Sequence, residues 1–353
     1  MSDFASELAA AQKTFAEFLE KIPRDARLTA MHDSDADGVT AGVLWQRGLE
    51  RLKYSLPTRV IPDRMRNAWT IENRALAAAA HPEYFFLMDL GSQPHRVVEN
   101  APHCFIDHHK PEGFPEGDVL ISAYNWNPIP NTSWLLWELL QPLVEMEDLD
   151  WIAVVGTISD LGEKAPFDLI EIAGKKYTKK YLKEATTLVN AIRRSSNYNP
   201  EAAARALLNH ENPKDLVLSN SSEVLELKAA REEVKIALGE AKKAAPVFAG
   251  KVALIRINTP CQVHPLIAQI WRTRLPKFIV IAANEGYIKN RVNFSARASG
   301  EDNALQFLRS QKISDGEGSF GHGHDQASGG SLEVARWNEL LKVMGFSSEV
   351  FAE

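Results

Sequence analysis

The chain has 353 residues, 24% of them charged, and a net charge of −6. This is an ordinary soluble composition, long enough for two domains that each bury a core. It argues against a duplex-DNA binder that grips many phosphates through a basic face. Nucleic acid stays open as a substrate, because bound metal ions can supply local positive charge.

The first element in the chain is an amphipathic lead helix over 5–22, ended near Pro23. Its start, MSDFASELAAAQ, is polar and has no apolar signal core. No apolar run reaches membrane-spanning length, so a cytoplasmic protein with no membrane partner is expected. A short strand, Leu28 to Met31, runs into HDSDADG at 32–38, followed by a helix over Val39–Arg51. A second strand is placed at Thr58–Ile61 and a helix at 70–80. YFFLMDLG at 84–91 and HCFIDHH at 103–109 read as apolar strands that end in polar clusters. A helix over 131–144 precedes WIAVVGTISDLG at 151–162, a third strand-like apolar run, which meets Asp160. Alternating strands and helices predict a parallel α/β sheet covered on both faces, with ligands at the carboxyl ends of its strands.

Residues 171–245 read as largely helical, broken at 195–201 with Pro200 near the next helix start. A second α/β pattern follows. It runs through KVALIRIN (251–258), a helix near 263–274, KFIVIAAN (277–284) and GYIKNRVNFSARA (286–298). A helix at 303–310, a glycine-rich loop at 316–330 and a last helix near 331–344 close the chain. The boundaries expected are a metal-binding catalytic domain over 1–194, a helical linker over 195–245 and a smaller α/β substrate-binding domain over 246–353. Cys104 and Cys261 lie far apart with no CxxC pair, which fits two buried thiols in a reducing compartment better than a zinc finger.

The chemistry concentrates in a few clusters. Asp33, Asp35 and Asp37 alternate, and alternate residues of an extended segment point the same way. Converging like charges repel unless a cation sits among them. The bland reading is an acidic turn that caps the following helix. Asp89 closes an apolar strand, where it, or Ser92, reads equally as a cap. Asp107-His108-His109 closes another, and imidazole with carboxylate suits manganese, iron or zinc better than calcium or magnesium. Asp160, where the apolar run 151–162 ends, is the fourth cluster. Four such clusters together are poorly explained by capping, and point to a metal site. Downstream, Gly318 to His324 form a loop whose glycines let backbone amides approach a phosphate. Ser295 and Arg297 lie just before it, and arginine is the natural bidentate partner of phosphate.

These clusters, in this order, resemble the DHH phosphoesterase superfamily, whose name matches Asp107-His108-His109. The glycine loop and FSARAS resemble the DHH-associated C-terminal domain, so the likeness spans nearly the whole chain. Asp33, Asp35, Asp37 and Gly38 resemble the first motif of RecJ-type nucleases, and Ile61-Pro62-Asp63-Arg64 their proline–arginine segment. Asn67 to Thr70 replace the glycine–tyrosine–glycine stretch of those enzymes. The chain's size is closer to nanoRNases, pAp phosphatases or short RecJ-like proteins.

The resemblance implies a two-metal, manganese-type phosphoesterase or exonuclease with its site in the interdomain cleft; Mg2+ or Co2+ are alternative ions. It implies Asp35, Asp37, Asp89, His108 and Asp160 as metal ligands, with Asp89 bridging two ions. His109 would contact the scissile phosphate, and Asp107 would hold a histidine in place. Arg297, His324, Gly321, Gly323, Ser295 and Arg64 would bind substrate. Whether His32 or Asp33 joins the metal site stays open. The implied substrate is a short single-stranded nucleic acid or a nucleotide. The alternatives are pAp, a linear or cyclic dinucleotide, polyphosphate, or a non-catalytic scaffold on the same fold. A homodimer is left open.

Overall fold

The computed structural model describes residues 3–55, 57–311, 313 and 320–347; the side chains at 320 and 322–324 lie outside that description. The chain divides into two compact units: residues 1–193 with 199–228, and residues 194–198 with 229–353.

The first unit opens with helix α1 (Phe4–Glu20). It continues through β1 (Leu28–His32), α2 (Ala36–Arg51), β2 (Thr58–Val60), α3 (Ile71–Ala78), β3 (Tyr84–Met88), β4 (His103–Asp107) and β5 (Val119–Ser122). Helices α4 (Thr132–Leu140), α5 (Asp150–Leu161), α6 (Asp168–Tyr177), α7 (Lys179–Ala191), α8 (Pro200–Asn209) and α9 (Pro213–Leu218) follow. Every strand pairs in parallel, in the order β2-β1-β3-β4-β5. The central strands β1 and β4 are buried along their whole length, as a sheet covered on both faces requires. On one face Met31, Phe85, Leu87 and Phe105 pack together. On the other, Phe86 meets Trp45 of α2 and Phe18 of α1, with ring centroids 5.2 and 5.6 Å apart. The adjacent residues Phe85 and Phe86 thus serve opposite faces, as period two dictates.

Two expectations for this unit are corrected. The run expected as a strand over 151–162 lies in helix α5, which ends at Leu161 and whose residues Trp151 to Thr157 are all buried; the apolar run is a helix packed on all sides, not a strand. Asp33, Asp35 and Asp37 do not share an extended segment. Asp35 is the N-cap of α2, accepting from the Asp37 and Gly38 amides at 3.1 and 3.2 Å, and Asp37 lies in the first turn. The capping reading is therefore true of Asp35. Neither Asp89 nor Ser92 caps a helix, since none is assigned between β3 and β4.

Helix α10 (Ser222–Ala241) leads into β6 (Val247–Ala249), β7 (Val252–Ile257), α11 (His264–Arg274), β8 (Ile279–Asn284), β9 (Arg291–Arg297) and α12 (Ala304–Ser310). Strands β10 (Phe320–His324) and β11 (Ala327–Glu333) and helix α13 (Val334–Val343) complete the second unit. Its sheet is mixed, in the order β10-β11-β9-β8-β7-β6, with β7 and β8 parallel and the other pairs antiparallel. Leu254, Ile281, Phe294 and Trp337 fill one face; Ile255, Val280, Ala282 and Ile267 fill the other. The expected glycine loop is, over its described part, the hairpin β10–β11, and the last helix begins at Val334 rather than near 331. Gly329 permits the close strand pairing there: a Cβ at this position would lie 2.4 Å from the Phe294 carbonyl oxygen.

Candidate metal centre

The sheet order reverses direction between β1 and β3, because β2 lies on one side of β1 and β3 on the other. Such a switch point opens a crevice at the carboxyl ends of the strands. The acids after β1, Asp89 after β3 and the triplet at the end of β4 are therefore delivered to one place by topology alone. Helix α5 adds Asp160 from its last turn.

Three groups of side chains bring ligand atoms within 4.8 Å of one another. They are Asp89 with Asp107, His108 and His109; Asp37 with His108 and Asp160; and Asp33 with Asp35 and Asp89. His108 Nε2 lies at the centre, 3.4 Å from Asp89, 3.8 Å from Asp37 and 3.8 Å from Asp160. The positive backbone angle of Asp89, φ 61°, belongs to a region that Asp and Asn enter more readily than most side chains.

Each acid has its own support. Asp37 accepts from the Ser133 amide at 2.7 Å, the Thr132 amide at 3.0 Å and the Asn131 side chain at 2.6 Å. These donors cluster at the start of α4, where unsatisfied amides and the helix dipole favour an anion. Thr132 also donates its hydroxyl to Asp89 at 3.1 Å. The approach of α5 that sets Asp160 depends on Gly156, where a Cβ would fall 2.3 Å from Thr40 Oγ1. Asp107 accepts from the Gly91, His108 and His109 amides at 2.6 to 2.7 Å, and its Oδ1 lies 2.7 Å from His109 Nδ1. Its carboxylate has little acceptor capacity left, and these bonds hold the His109 ring and the turn.

The electrostatics follow from this crowding. Burial, then the charges of Asp160 and Asp35, push the Asp37 carboxyl well above its usual range. Burial and the charges of Asp37, Asp35 and other acids do the same to Asp89. Asp160 is pushed up to about 6 by partial burial and the nearby Asp35 charge. For His109, Asp107 outweighs burial and raises the ring to about 9, so it is a cation at neutral pH. Asp35 and Asp107 are instead held well below the usual carboxylate range: burial opposes this, and the guanidiniums of Arg193 and Arg66 or the His109 ring prevail. Buried carboxylates that resist ionisation side by side, together with an imidazole nitrogen, are the donor set a transition-metal dication satisfies.

His32 and Asp33 now separate. His32 is fully buried, with Nδ1 2.8 Å from the Asp33 carbonyl oxygen and its ring against Gly42; burial, then Arg59, lowers it to about 3. It contributes to none of the three groups, whereas Asp33 does. Two residues that sequence reasoning missed are Arg66 and Arg193. Arg66 donates from Nε to Asp33 at 2.7 Å, and its Nη2 bridges Asp33 and Asp35, the latter at 3.0 Å. Arg193 Nη2 lies 3.7 Å from Asp35. Arg64 sits two residues before Arg66, in the segment after β2, and is partly buried.

In the second unit Ser295 is buried and Arg297 partly buried, both on β9. The strand register aligns Arg297 with Ala327 and Ala327 with His324, so three strands bring these positions onto one rung. Gly321 and Gly323 lie on the same strand as His324, whose side chain is outside the described residues. Arg297 donates to the carbonyl oxygens of Ala296 and Ser328; burial, then Arg272, lowers its pKa.

No protein-family model and no curated protein matches the chain. Solved structures match it in fold. The DHH domain of a protein described as a member of the s1p family of ribosomal proteins aligns with all of this chain and 93% of its own, with a TM-score of 0.69 at 14% identity. RecJ from Thermus thermophilus, solved with Mn2+, aligns with 97% of this chain at TM-score 0.64 and 17% identity. The chain spans about half of that protein, 55% of its length. Another exonuclease RecJ bound to manganese aligns over 97% of this chain and 95% of its own, with a TM-score of 0.61 at 19% identity. The chain has a DHH-type, RecJ-like fold in two units.

Proposed function

We propose that this chain is a metal-dependent phosphoesterase that hydrolyses phosphodiester bonds in short single-stranded oligonucleotides or nucleotides. The observation that carries the reading is the convergence of Asp37, Asp89, His108 and Asp160 at the sheet's switch point. Asp35 completes the ligand set. The nitrogen donor of His108 favours manganese over magnesium, and the spread of carboxylates over two flanks of Asp89 favours two ions. A metal held by these residues would supply a water that ionises near neutral pH and charge to offset that of the phosphoryl group.

The chain's own residues do the rest. Protonated His109 donates a hydrogen bond to a phosphoryl oxygen, and Asp107 keeps the ring charged and oriented. The oxygen of water bonds to phosphorus, the ester P–O bond breaks, and the leaving oxygen takes up a proton. Arg297, Ser295, His324, Gly321 and Gly323 are the proposed phosphate-binding residues of the second unit, and Arg64 is that of the first. The two buried free cysteines, Cys104 and Cys261, support a reducing, cytoplasmic setting, and no helix among the described residues is long and apolar enough to cross a membrane.

The test is incubation with manganese and a length series of 5′-labelled single-stranded DNA and RNA, with pAp, dinucleotides and polyphosphate alongside and Asp160→Ala as control. Release of labelled mononucleotide that Asp160→Ala abolishes supports the proposal, and its length dependence separates a RecJ-like enzyme from a nanoRNase. Hydrolysis of pAp or polyphosphate alone would replace the substrate class. No hydrolysis of any of them, with no metal bound, would sink the proposal in favour of a scaffold.

A further inference from the structure

The acidic site has two unlike halves. Asp37 accepts hydrogen bonds from neutral donors, and both Asp37 and Asp160 lie 3.8 Å from His108. Asp33 and Asp35 instead carry the fork of Arg66, Nε and Nη2 to Asp33 and Nη2 also to Asp35, with Arg193 behind. A planar guanidinium that grips one carboxylate with two nitrogens and reaches a second occupies the space between them. Asp33, Asp35 and Asp89 nevertheless hold oxygens within 4.8 Å of one another, as a dication needs.

The two arginines are also unlike. Arg193 has an 8% exposed side chain and is braced by Asn190, whose Oδ1 accepts from its Nε at 3.0 Å. Arg66 is 30% exposed, sits outside any helix or strand, and has a left-handed backbone, φ 55°. A residue with a Cβ enters that region at an energetic cost that its surroundings must offset. The contacts with Asp33 and Asp35 contribute to that offset; Arg66 is the more exposed of the two arginines and Arg193 the more enclosed one.

We infer that Arg66 is an internal cation standing in the second metal position. The first ion goes to Asp37, Asp160 and His108, and the second enters only by displacing the Arg66 guanidinium from Asp33 and Asp35. The inference rests on the reading of this cluster as a metal site. It makes the two ions unequal in affinity, and it frees a guanidinium beside the metal centre at the moment the second ion arrives.

Manganese titration calorimetry on the full chain tests this, with metal stoichiometry by elemental analysis and the exchange-coupled manganese signal in electron paramagnetic resonance as second readouts. Wild type should show two steps, the second much weaker. Arg66→Gly keeps the backbone conformation at no steric cost. It should tighten the second step roughly tenfold or more and bring the coupled signal in at lower manganese. Arg66→Lys, which keeps a charge but loses the fork, should fall between them. Two equal sites in wild type, or a second step unchanged in Arg66→Gly and Arg66→Ala, would overturn the inference and leave the metal site standing. No manganese binding by any variant would overturn both together.

Discussion

In the first unit, carboxylates crowd at the sheet's switch point, and Asp37 and Asp89 are pushed toward their neutral forms by burial and by one another. In the second unit the imbalance has the opposite sign. Arg297 and Arg272 lie close enough to lower the Arg297 pKa, and neither forms an ion pair among the described residues. Arg272 instead donates to Ser299 Oγ and Gln326 Oε1 at 3.1 and 3.0 Å. A fold optimised for stability alone would pair such groups internally, since an uncompensated buried charge is costly. Each unit thus holds an imbalance of one sign: the first calls for a cation and the second for an anion. Under the proposed function, metal and phosphate meet those needs separately, so substitutions should divide into those that lose the metal and those that lose the phosphate.

The largest effect is expected at Asp89, which belongs to two of the three ligand groups. Asp89→Ala should lower turnover by roughly 10^3-fold or more and abolish tight manganese binding, while circular dichroism stays that of the folded protein. A variant with normal rate and metal content would remove the cation from the comparison. Next comes His109. Its loss should cost roughly 10^2-fold in rate with manganese stoichiometry unchanged, which separates phosphate contact from metal ligation. Asp107→Asn sharpens the point through pH. Asp107 raises His109 to about 9, so the protonated ring is lost only as pH rises through that value. Without the carboxylate the ring returns toward 6.5, and the alkaline limb of the rate profile should move down toward neutrality. A limb that stays in place would assign it to another group. Manganese affinity has its own pH signature. Protons compete for Asp160, which is raised to about 6, so affinity should hold above that pH and weaken below it. Calorimetry from pH 5 to 8 reads this directly.

How much of this was legible in the sequence depends on the kind of signal. Strands β3 and β4 were plain, because an apolar run that ends abruptly in charge is what a buried parallel strand looks like. The run at 151–162 has the same appearance but is α5; a helix buried on every side loses its 3.6-residue period, and a short apolar stretch then carries no mark of its type. The alternation of Asp33, Asp35 and Asp37 suggested a shared face, whereas the chain turns into a helix at Asp35 and separates their roles. Short strands such as Val247–Ala249 offered too few residues to show alternation. Residue identity at the candidate site was legible because charged and imidazole side chains ending apolar runs stand out. The partners Thr132, Ser133, Arg66 and Arg193 did not, because their significance arises only when distant elements meet. Asp33 and Arg66 are 33 positions apart, and the proline–arginine segment just before Arg66 pointed to Arg64 instead.

The smallest expected effect tests the anion half. If Arg297 and Arg272 form a phosphate-binding pair, inorganic phosphate or a nucleotide should raise the melting temperature of the metal-free protein, by mass action on the folded state. Arg297→Met removes the buried charge and keeps much of the side chain's bulk. It should abolish that shift and raise KM roughly tenfold, with kcat and manganese stoichiometry little changed. Arg272→Ala should do the same more weakly, roughly two- to threefold in KM, because Arg272 is already engaged by two neutral acceptors and acts on phosphate mainly through its charge. Without any anion the expectation changes sign. Removing either arginine relieves repulsion on the other, so both unliganded variants should melt at or above the wild-type temperature. A clear destabilisation without ligand would mean that the arginines hold the hairpin β10–β11 to its sheet, as the Arg297 contact with the Ser328 carbonyl oxygen suggests for a purely structural role. Phosphate-dependent stabilisation of wild type alone is the result a structural role does not produce.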